Sequence, residues 1–279
     1  MIAGRNPVPR RIGRYVLYAI ILFVFVAPLY WAVVTSVKSP QEMFTFPPQW
    51  FAENPTLQHY KEVILSTSIP IAYRNSFIIS GVTVALTAML ATLAAYGFSR
   101  FRFKAKDGIL LGLIVLRMLP AVMLIIPVYT MMHGFGLLDT YWSLIFIHTA
   151  MNIPFSVWIM KGFFDSIPRA LDEAAHIAGC NHFQTFTRVI LPLTTPGLIA
   201  AGIVTFFLAW KEFIMALTLT SSKSVRPISV ALYSFMSMQG VEWGPMMTAA
   251  VLAIIVPAGI FVFTERYVVA GVTGGSLKE

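Results

Sequence analysis

Charged residues are scarce in this chain: they make up 11% of its 279 residues, whereas hydrophobic residues make up 57%. Soluble domains carry about 25% charged residues. A soluble fold of this length could not bury so much apolar surface, so the composition excludes an ordinary soluble domain and indicates lipid as the solvent. Cysteine is almost absent too, because Cys180 is the only one, and a single cysteine excludes an internal disulfide framework.

The sequence also lacks the motifs of nucleotide binding, metal binding and catalysis. No Gly-x-x-x-x-Gly-Lys-Ser/Thr phosphate loop occurs, which predicts that the chain neither binds nor hydrolyses ATP. No zinc spacing is present either, since His176 and His182 cannot share a helical face as an i, i+4 pair would. No nucleophile–base pair is visible. We therefore expect no catalytic residue, no metal and no cofactor on this chain.

Six apolar stretches are long enough to cross a bilayer, which takes about 20 residues in a helix. They are far longer than the roughly 10-residue alternating segments of a membrane barrel, so an all-α integral membrane fold with six transmembrane helices is predicted. The first stretch follows several arginines but is too long for a secretory signal, which indicates a retained helix. The predicted spans are Tyr15–Val37, Tyr73–Phe98, Gly108–Met131, Tyr141–Phe164, Thr195–Leu219 and Pro245–Tyr267.

The net charge of +8 is spread in short basic runs between the apolar stretches, so no nucleic-acid-binding patch is indicated. Most lysines and arginines fall in the loops of one side, and the positive-inside rule makes that side cytoplasmic. Both termini are then cytoplasmic, which requires an even number of spans. The predicted organisation is an N-terminal tail over 1–14, a membrane domain over 15–267 and a C-terminal tail over 268–279.

Two predicted spans carry stripes of small residues, which allow close helix approach in lipid. Bundle packing is the favoured interpretation of these stripes and a subunit interface the minor one. The stripes are Gly81, Ala85, Ala88, Thr92 and Ala95 in the second span, and Gly197, Ala201, Thr205 and Ala209 in the fifth.

The long external stretch from Lys38 to Ala72 is compatible with short interfacial helices, with Trp50 at headgroup level.

The cytoplasmic connection over 165–192 is too long and too patterned for a simple linker. Ser166 and Pro168 are suited to the start of a helix, and Gly179 is suited to a left-handed turn that ends it. A second helical stretch is predicted from Asn181. In the first helix, an apolar face with i, i+3, i+4 and i+7 spacing is built mainly from alanine, which gives a shallow surface suited to another protein's groove. Packing on the protein's own helix ends is the alternative. The face comprises Leu171, Ala174, Ala175 and Ala178.

This connection resembles the EAA loop of binding-protein-dependent ABC importer permeases. The family pattern is Glu-Ala-Ala, three residues, Gly, nine residues, Ile, one residue and Leu-Pro. Val189 stands at the Ile position, and Ala178 replaces the Asp that commonly precedes the glycine. The matching residues are Glu173, Ala174, Ala175, Gly179, Leu191 and Pro192. Further stretches are similar to the maltose-type sugar permeases: Asn75-Ser76, Tyr96 to Phe103, Gly136 to Thr140, Trp210 to Phe213, and Ala270 to Gly275.

The resemblance implies a division of labour among several chains. The loop would form coupling helices that dock into the ATPase subunits, and the tail with Gly274 and Gly275 would also reach them. The implied partners are a second homologous permease, two ATP-binding subunits that carry ATP and Mg²⁺, and an extracytoplasmic solute-binding protein that delivers a sugar. The implied location is the bacterial cytoplasmic (inner) membrane, where the chain would be a multi-pass protein in the lipid bilayer.

Charged residues inside predicted spans are functional candidates. Arg117 lies within the third span, and pairing within the bundle is favoured for it over substrate contact. The fifth span offers aromatic and hydrogen-bonding groups for an outward-facing sugar pathway, although Lys211 and Glu212 could equally be surface anchors. The residues of this candidate pathway are Trp210, Lys211, Glu212, Phe213 and Arg117. A stand-alone secondary transporter or channel, and a membrane enzyme, remain as alternatives to the importer subunit.

Overall fold

The structure, a computed structural model, describes the backbone of residues 7–238 and 240–273 and the side chains of residues 13–238 and 240–265. The described chain is mostly helical, with only two short strands, as the predicted all-α fold requires. Its first half contains α1 (Pro7–Val37), α2 (Pro40–Met43), α3 (Gln58–Ser66), α4 (Ile69–Arg100), α5 (Lys106–Met118), a 3₁₀ turn (Ala121–Leu124), α6 (Ile125–Gly134) and α7 (Tyr141–Ser166). Its second half contains α8 (Ala170–Ile177), α9 (His182–Gln184), a π-helical stretch (Thr185–Ile190), α10 (Leu191–Leu193), α11 (Thr195–Trp210), α12 (Ile214–Leu219), α13 (Ile228–Ala231), a 3₁₀ turn (Leu232–Phe235), β1 (Met236–Ser237), β2 (Gly240–Val241) and α14 (Trp243–Thr273).

Two compact units divide these elements. The smaller unit combines the N-terminal segment up to Ile69 with Ser234–Ile255, and the larger unit combines Pro70–Tyr233 with the chain from Val256 onward. In the smaller unit, β1 and β2 pair in antiparallel register, with Met236 opposite Val241. The same unit contains α2 and α3, the short helices expected in the external stretch, and Trp50, whose ring meets that of Trp31 edge-on at 5.7 Å.

Four described helices, α1, α4, α7 and α14, are each long and apolar enough to cross a membrane. Two further candidates are bent helix pairs, so the described residues supply up to six spans if each pair counts as one. This agrees with the six predicted. The last helix, α14, continues to Thr273, beyond the predicted end of its span at Tyr267.

The third predicted span is not one straight helix, and this corrects the sequence-based prediction for 108–131. Helix α5 ends at Met118, and the chain resumes at Ala121 with a bend of 95° between the two parts. Pro120 causes the break, because a proline disfavours the helical conformation of the residue before it. Leu119 is accordingly extended, with φ −67° and ψ 126°.

The fifth predicted span, 195–219, is also interrupted. Helix α11 ends at Trp210, and the short helix α12 begins only at Ile214. At its other end, α11 meets the segment His182–Leu193 at 74°. The residues around the interruption after Trp210 are those proposed above for a substrate pathway, so this correction bears directly on the candidate site.

Close helix packing in the larger unit explains part of the small-residue stripes. A Cβ placed on Gly197 would lie 2.4 Å from the Phe163 ring, so only glycine allows α11 to approach α7 this closely. Ala201, Thr205 and Ala209 of the same stripe are buried. In the fifth span, the stripe therefore serves packing within the chain, as the favoured interpretation predicts.

Candidate functional site

The segment over 165–192 folds into two short helical parts, as the sequence predicts. Gly179 has φ +89°, a left-handed conformation that favours glycine, and it ends the first part after α8. Asn181 begins the second part with a capping box, in which its side chain accepts from the Gln184 N–H and the Gln184 side chain accepts from the Asn181 N–H. The expected role of Ser166 is wrong: its hydroxyl donates to the Phe163 carbonyl within α7, and Arg169 precedes α8.

The predicted apolar face of α8 is divided between solvent and interior. Leu171, Ala174 and Ala178 are exposed, whereas Ala175 is only 7% exposed and packs within the chain. Ile177 joins the exposed side with 89% of its surface accessible. Sequence reasoning missed Ile177, although its i+3 spacing from Ala174 could have indicated it. Glu173 is exposed beside this face.

An ion pair anchors α8 to the end of α4. Arg100 Nε lies 3.0 Å from Asp172 Oδ2, and both side chains are largely shielded, with 7% and 15% exposure. Arg100 also donates to the carbonyls of Phe164 and Ile167. One guanidinium at the end of α4 therefore contacts both α8 and the end of α7.

The second part of the segment is anchored by an aromatic cluster. The Tyr96 ring lies 4.8 Å from the Phe186 ring and 5.6 Å from the Phe164 ring, measured between centroids. Ile190 is fully buried in the same core, and Leu191 packs partly against it, whereas Pro192 is exposed. The segment is therefore firmly attached on its inner side, with an apolar outer surface left open on α8.

A separate cavity of about 580 Å³ lies in the larger unit, between α5, α7 and the interruption after α11. Arg117, Lys211 and Glu212 all line it, so three residues predicted for a substrate pathway come together here. His148 and Asn152 of α7 line it as well. Their participation was not predicted, although a histidine and an asparagine four residues apart inside an apolar span were visible as a polar face.

Glu212 is the best-connected residue of this cavity. Its carboxylate accepts from the backbone N–H groups of Met215 at 2.8 Å and Ala216 at 3.0 Å, which satisfies the first turn of α12. Its Oε2 lies 3.2 Å from Nε2 of His148. The interruption after α11 is thus held by a specific side chain.

The other predicted pathway residues have different surroundings. Arg117 donates to the Met151 carbonyl at 2.8 Å, and its guanidinium lies 5.8 Å from the Phe155 ring centroid. Trp210 and Phe213 do not line the cavity. Trp210 is buried among the rings of Tyr73, Phe77 and Phe206, and Phe213 packs on Tyr233. Gly274 and Gly275 of the predicted ATPase-contacting tail lie outside the described residues.

Side-chain hydrogen bonds connect the helix ends to the following loops on the predicted outer side. Asn75, fully buried, donates to the carbonyls of Ser224 and Arg226, both at 2.9 Å, and accepts from the Tyr141 hydroxyl at 2.7 Å. Partial burial raises the pKa of the Asp139 carboxyl, but hydrogen bonds from the N–H groups of Ser222 and Ser221 outweigh this, and the pKa lies below its ordinary value. Asp139 therefore remains ionised at neutral pH.

The fold and these two sites define a polytopic helical membrane protein with a two-part helical segment over 165–192 and a mainly apolar cavity that contains a few charged and polar side chains. The family of inner membrane components of binding-protein-dependent transport systems matches residues 84–273. The chain belongs to this family: it is the permease subunit of an ABC importer and not an enzyme, and ATP hydrolysis takes place on partner subunits.

Relatives with known names cover almost the whole chain. The sulfoquinovosyl glycerol transport system permease protein of Agrobacterium fabrum is 34% identical and aligns with 95% of this chain and 93% of its own length. The trehalose/maltose transport system permease protein of Thermococcus litoralis is 31% identical, with 96% and 95% covered. The diacetylchitobiose uptake system permease protein of Streptomyces coelicolor is 30% identical, with 93% and 95% covered.

A solved structure supports the fold. A chain from a bacterial ABC transporter that imports the acidic polysaccharide alginate superposes with a TM-score of 0.83 at 20% identity, over 96% of this chain and 99% of that one. The predicted resemblance to sugar importer permeases is confirmed by these matches, and the alternative of a stand-alone carrier or channel is not favoured. The family description also confirms that the chain depends on a binding protein and that it is an inner membrane component.

Proposed function

We propose that this permease moves a carbohydrate across the cytoplasmic membrane of a bacterium, in an importer built from two homologous permeases, two ATP-binding subunits and an extracytoplasmic binding protein. Its relatives are named for sulfoquinovosyl glycerol, trehalose or maltose, and diacetylchitobiose, which share sugar units. ATP and Mg²⁺ bind to the partner subunits, and this chain needs no cofactor of its own.

The observation that carries the coupling proposal is the contrast between the two sides of α8. Its inner side is tied to the ends of α4 and α7 by the Arg100–Asp172 ion pair, whereas Leu171, Ala174 and Ile177 remain exposed. Low-profile apolar helix faces fit grooves of other proteins. When an ATPase subunit moves α8, the ion pair transmits the movement to both long helices, which changes the access to the cavity. The stretch over 165–192 is the docking segment of this proposal, and it also contains Glu173, Gly179, Leu191 and Pro192.

The cavity supplies hydrogen-bonding groups for a sugar. Nδ1 of His148 and Oδ1 of Asn152 are buried, and neither has a hydrogen-bond partner among the described residues. A buried polar atom without a partner costs free energy, so a ligand or water that satisfies it is favoured. Sugar hydroxyls both donate and accept, so they suit this pair once a movement of the neighbouring helices opens the two shielded atoms to the cavity. We assign Arg117, Lys211 and Glu212 to the same pathway, and we assign Trp210 and Phe213 to the packing that supports it.

Affinity purification tests the importer assignment. The chain, co-expressed with the ATP-binding subunits of its transport system, is expected to retain them in detergent, and the charge reversal Glu173→Lys is expected to weaken that retention. Asp107→Lys is the matched control, since Asp107 is exposed and lies on the predicted cytoplasmic side but outside the docking segment. Equal loss of the ATPase chains from both variants, or transport by this chain purified alone, would refute the assignment.

A further inference from the structure

We infer that the cavity beside the interruption after α11 receives an anionic carbohydrate, one with a carboxylate, sulfonate or phosphate group, and that Lys211 and Arg117 are its cationic contacts. This inference rests on the proposed function and specifies the substrate class of the same site. It differs from the expectation of an uncharged sugar, for which hydroxyl-binding groups alone would suffice.

The balance of charge in the cavity lining is the first argument. The charged side chains of the lining are Arg117, Lys211 and Glu212. The Glu212 carboxylate is already engaged by two backbone N–H groups of α12 and by His148. A carboxylate with this many partners has little capacity left for a further cation, so the lining keeps an excess of positive charge.

The free donor capacity of the two cations is the second argument. A lysine ammonium has three donors and a guanidinium has five. Within the part of the chain that the structure describes, the Lys211 ammonium makes no hydrogen bond or ion pair, and Arg117 uses one N–H, on the Met151 carbonyl. Both side chains are exposed and line the cavity, so their remaining N–H groups are available to a ligand.

Charges such as these also carry an energetic cost at membrane depth. Cations inside a transmembrane domain are costly unless they are paired or hydrated, and they mark substrate or ion pathways. A neutral sugar would displace water from these cations without supplying an opposite charge. An anionic group restores the pairing with charge-assisted hydrogen bonds, which are about twice as strong as neutral ones.

Uptake by the complete importer in proteoliposomes tests the inference. The radiolabelled probes are glucose and maltose as neutral carbohydrates, and glucuronate, 6-deoxy-6-sulfoglucose and glucose 6-phosphate as anionic ones, each offered with the cognate binding protein. We expect the wild-type importer to take up an anionic probe. Lys211→Met, which keeps the length of the side chain but removes its charge, is expected to lower that uptake at least tenfold, whereas Lys211→Arg retains most of it.

Lys223→Met is the matched control, because Lys223 is exposed in a loop on the predicted outer side, outside the cavity, and loses the same charge. It is expected to leave uptake within about twofold of wild type, as surface charges contribute little. An equal loss in both variants would overturn the inference, because Lys211 would then act only as a surface anchor. Uptake of neutral probes alone would overturn it as well while leaving the proposed function intact. Absence of uptake of every carbohydrate that the cognate binding protein binds would refute the proposed function itself.

Chemical rescue guards against a variant that merely folds poorly. Lys211→Cys is made in a Cys180→Ser background, so that the new thiol is the only one in the chain. Modification with aminoethyl methanethiosulfonate restores a positive charge, and uptake of the anionic probe is expected to recover at least fivefold relative to the thiol modified with the neutral methyl reagent. Equal uptake after the two modifications would overturn the inference.

Discussion

At the scale of single residues, Glu212 combines a structural contact with a position in the cavity. Glu212→Ala removes the acceptor for the first turn of α12 and the partner of His148. We expect sugar uptake to fall about tenfold, the effect of about 1.4 kcal/mol, while complex yield and basal ATPase activity stay near wild type. Glu212→Gln, which keeps one acceptor oxygen for the backbone, is expected to lose less. If Glu212→Ala abolished assembly, its role would be confined to folding.

Gly179 is a second residue whose conformation decides its role. Its φ of +89° disfavours any side chain, although an added Cβ would meet no atom of this chain within 4 Å. Gly179→Asp therefore adds a charge, besides backbone strain, on the surface that we propose to face the ATPase. We expect uptake and binding-protein-stimulated ATPase activity to fall at least tenfold, with normal membrane insertion.

Gly136→Asp is the control for backbone strain, because Gly136 has φ +67° and also meets no atom within 4 Å of its added Cβ. It lies on the predicted outer side, away from the ATPase. Normal uptake by Gly179→Asp, or an ATPase subunit lost equally from the two variants, would contradict the coupling role of Gly179.

At the scale of elements, the Arg100–Asp172 ion pair connects α8 to α4, and its removal tests the coupling between these helices. Asp172→Asn leaves the largely buried Arg100 guanidinium without its charge partner, and removing one partner of a buried ion pair costs about 3–5 kcal/mol. We expect a lower melting temperature of the purified complex and weaker coupling of ATP hydrolysis to uptake. The double variant Arg100→Met with Asp172→Leu is expected to recover stability but not coupling.

Lys161→Met provides the comparison for this ion pair. Lys161 and Asp165 form an i, i+4 pair at 2.6 Å on the same helix, with 19% and 39% exposure. Such pairs contribute about 0.3–0.5 kcal/mol, so its removal is expected to change the melting temperature little. Similar effects of Lys161→Met and Asp172→Asn on coupling would show that α8 is not driven through Arg100.

At the scale of the whole molecule, the basic loops predict the orientation. Reporter fusions at Lys104, at Gly179 and at the C-terminus are expected to report the cytoplasm, and fusions near Asn54, Gly136 and Ser222 the outside. The bent pair Lys106–Met118 with Ala121–Gly134 does not change this expectation as long as it counts as one span. In the other bent pair, only Thr195–Trp210 belongs to the predicted span, because His182–Leu193 falls almost wholly within the cytoplasmic connection over 165–192. A fusion at Gly179 that reported the outside would remove the coupling segment from the ATPase side.

The sequence by itself determined the membrane class, the approximate spans and the docking segment. Hydropathy is summed over a window of about 20 residues, so it locates a span wherever lipid must be the solvent. The docking segment was predictable because its signals are local: Gly179 and Asn181 act on the chain next to them. The same windowed sum is insensitive to a change of direction, so it located neither the bend at Pro120 nor the interruption after Trp210. Pro120 is itself a local signal for a break, but Pro154 lies inside the continuous helix α7, so proline alone does not identify which span is broken.

Only the tertiary structure decided which distant residues share a site. Arg117 on α5 and Lys211 after α11 line one cavity, while Trp210, the neighbour of Lys211 in sequence, is buried among aromatic rings elsewhere. The alanine face of α8 was likewise divided by packing, with Ala175 inside and Ile177 outside. The physical reason is that helical periodicity fixes which side chains share a face, whereas the neighbours of that face depend on how close-packed helices fit together.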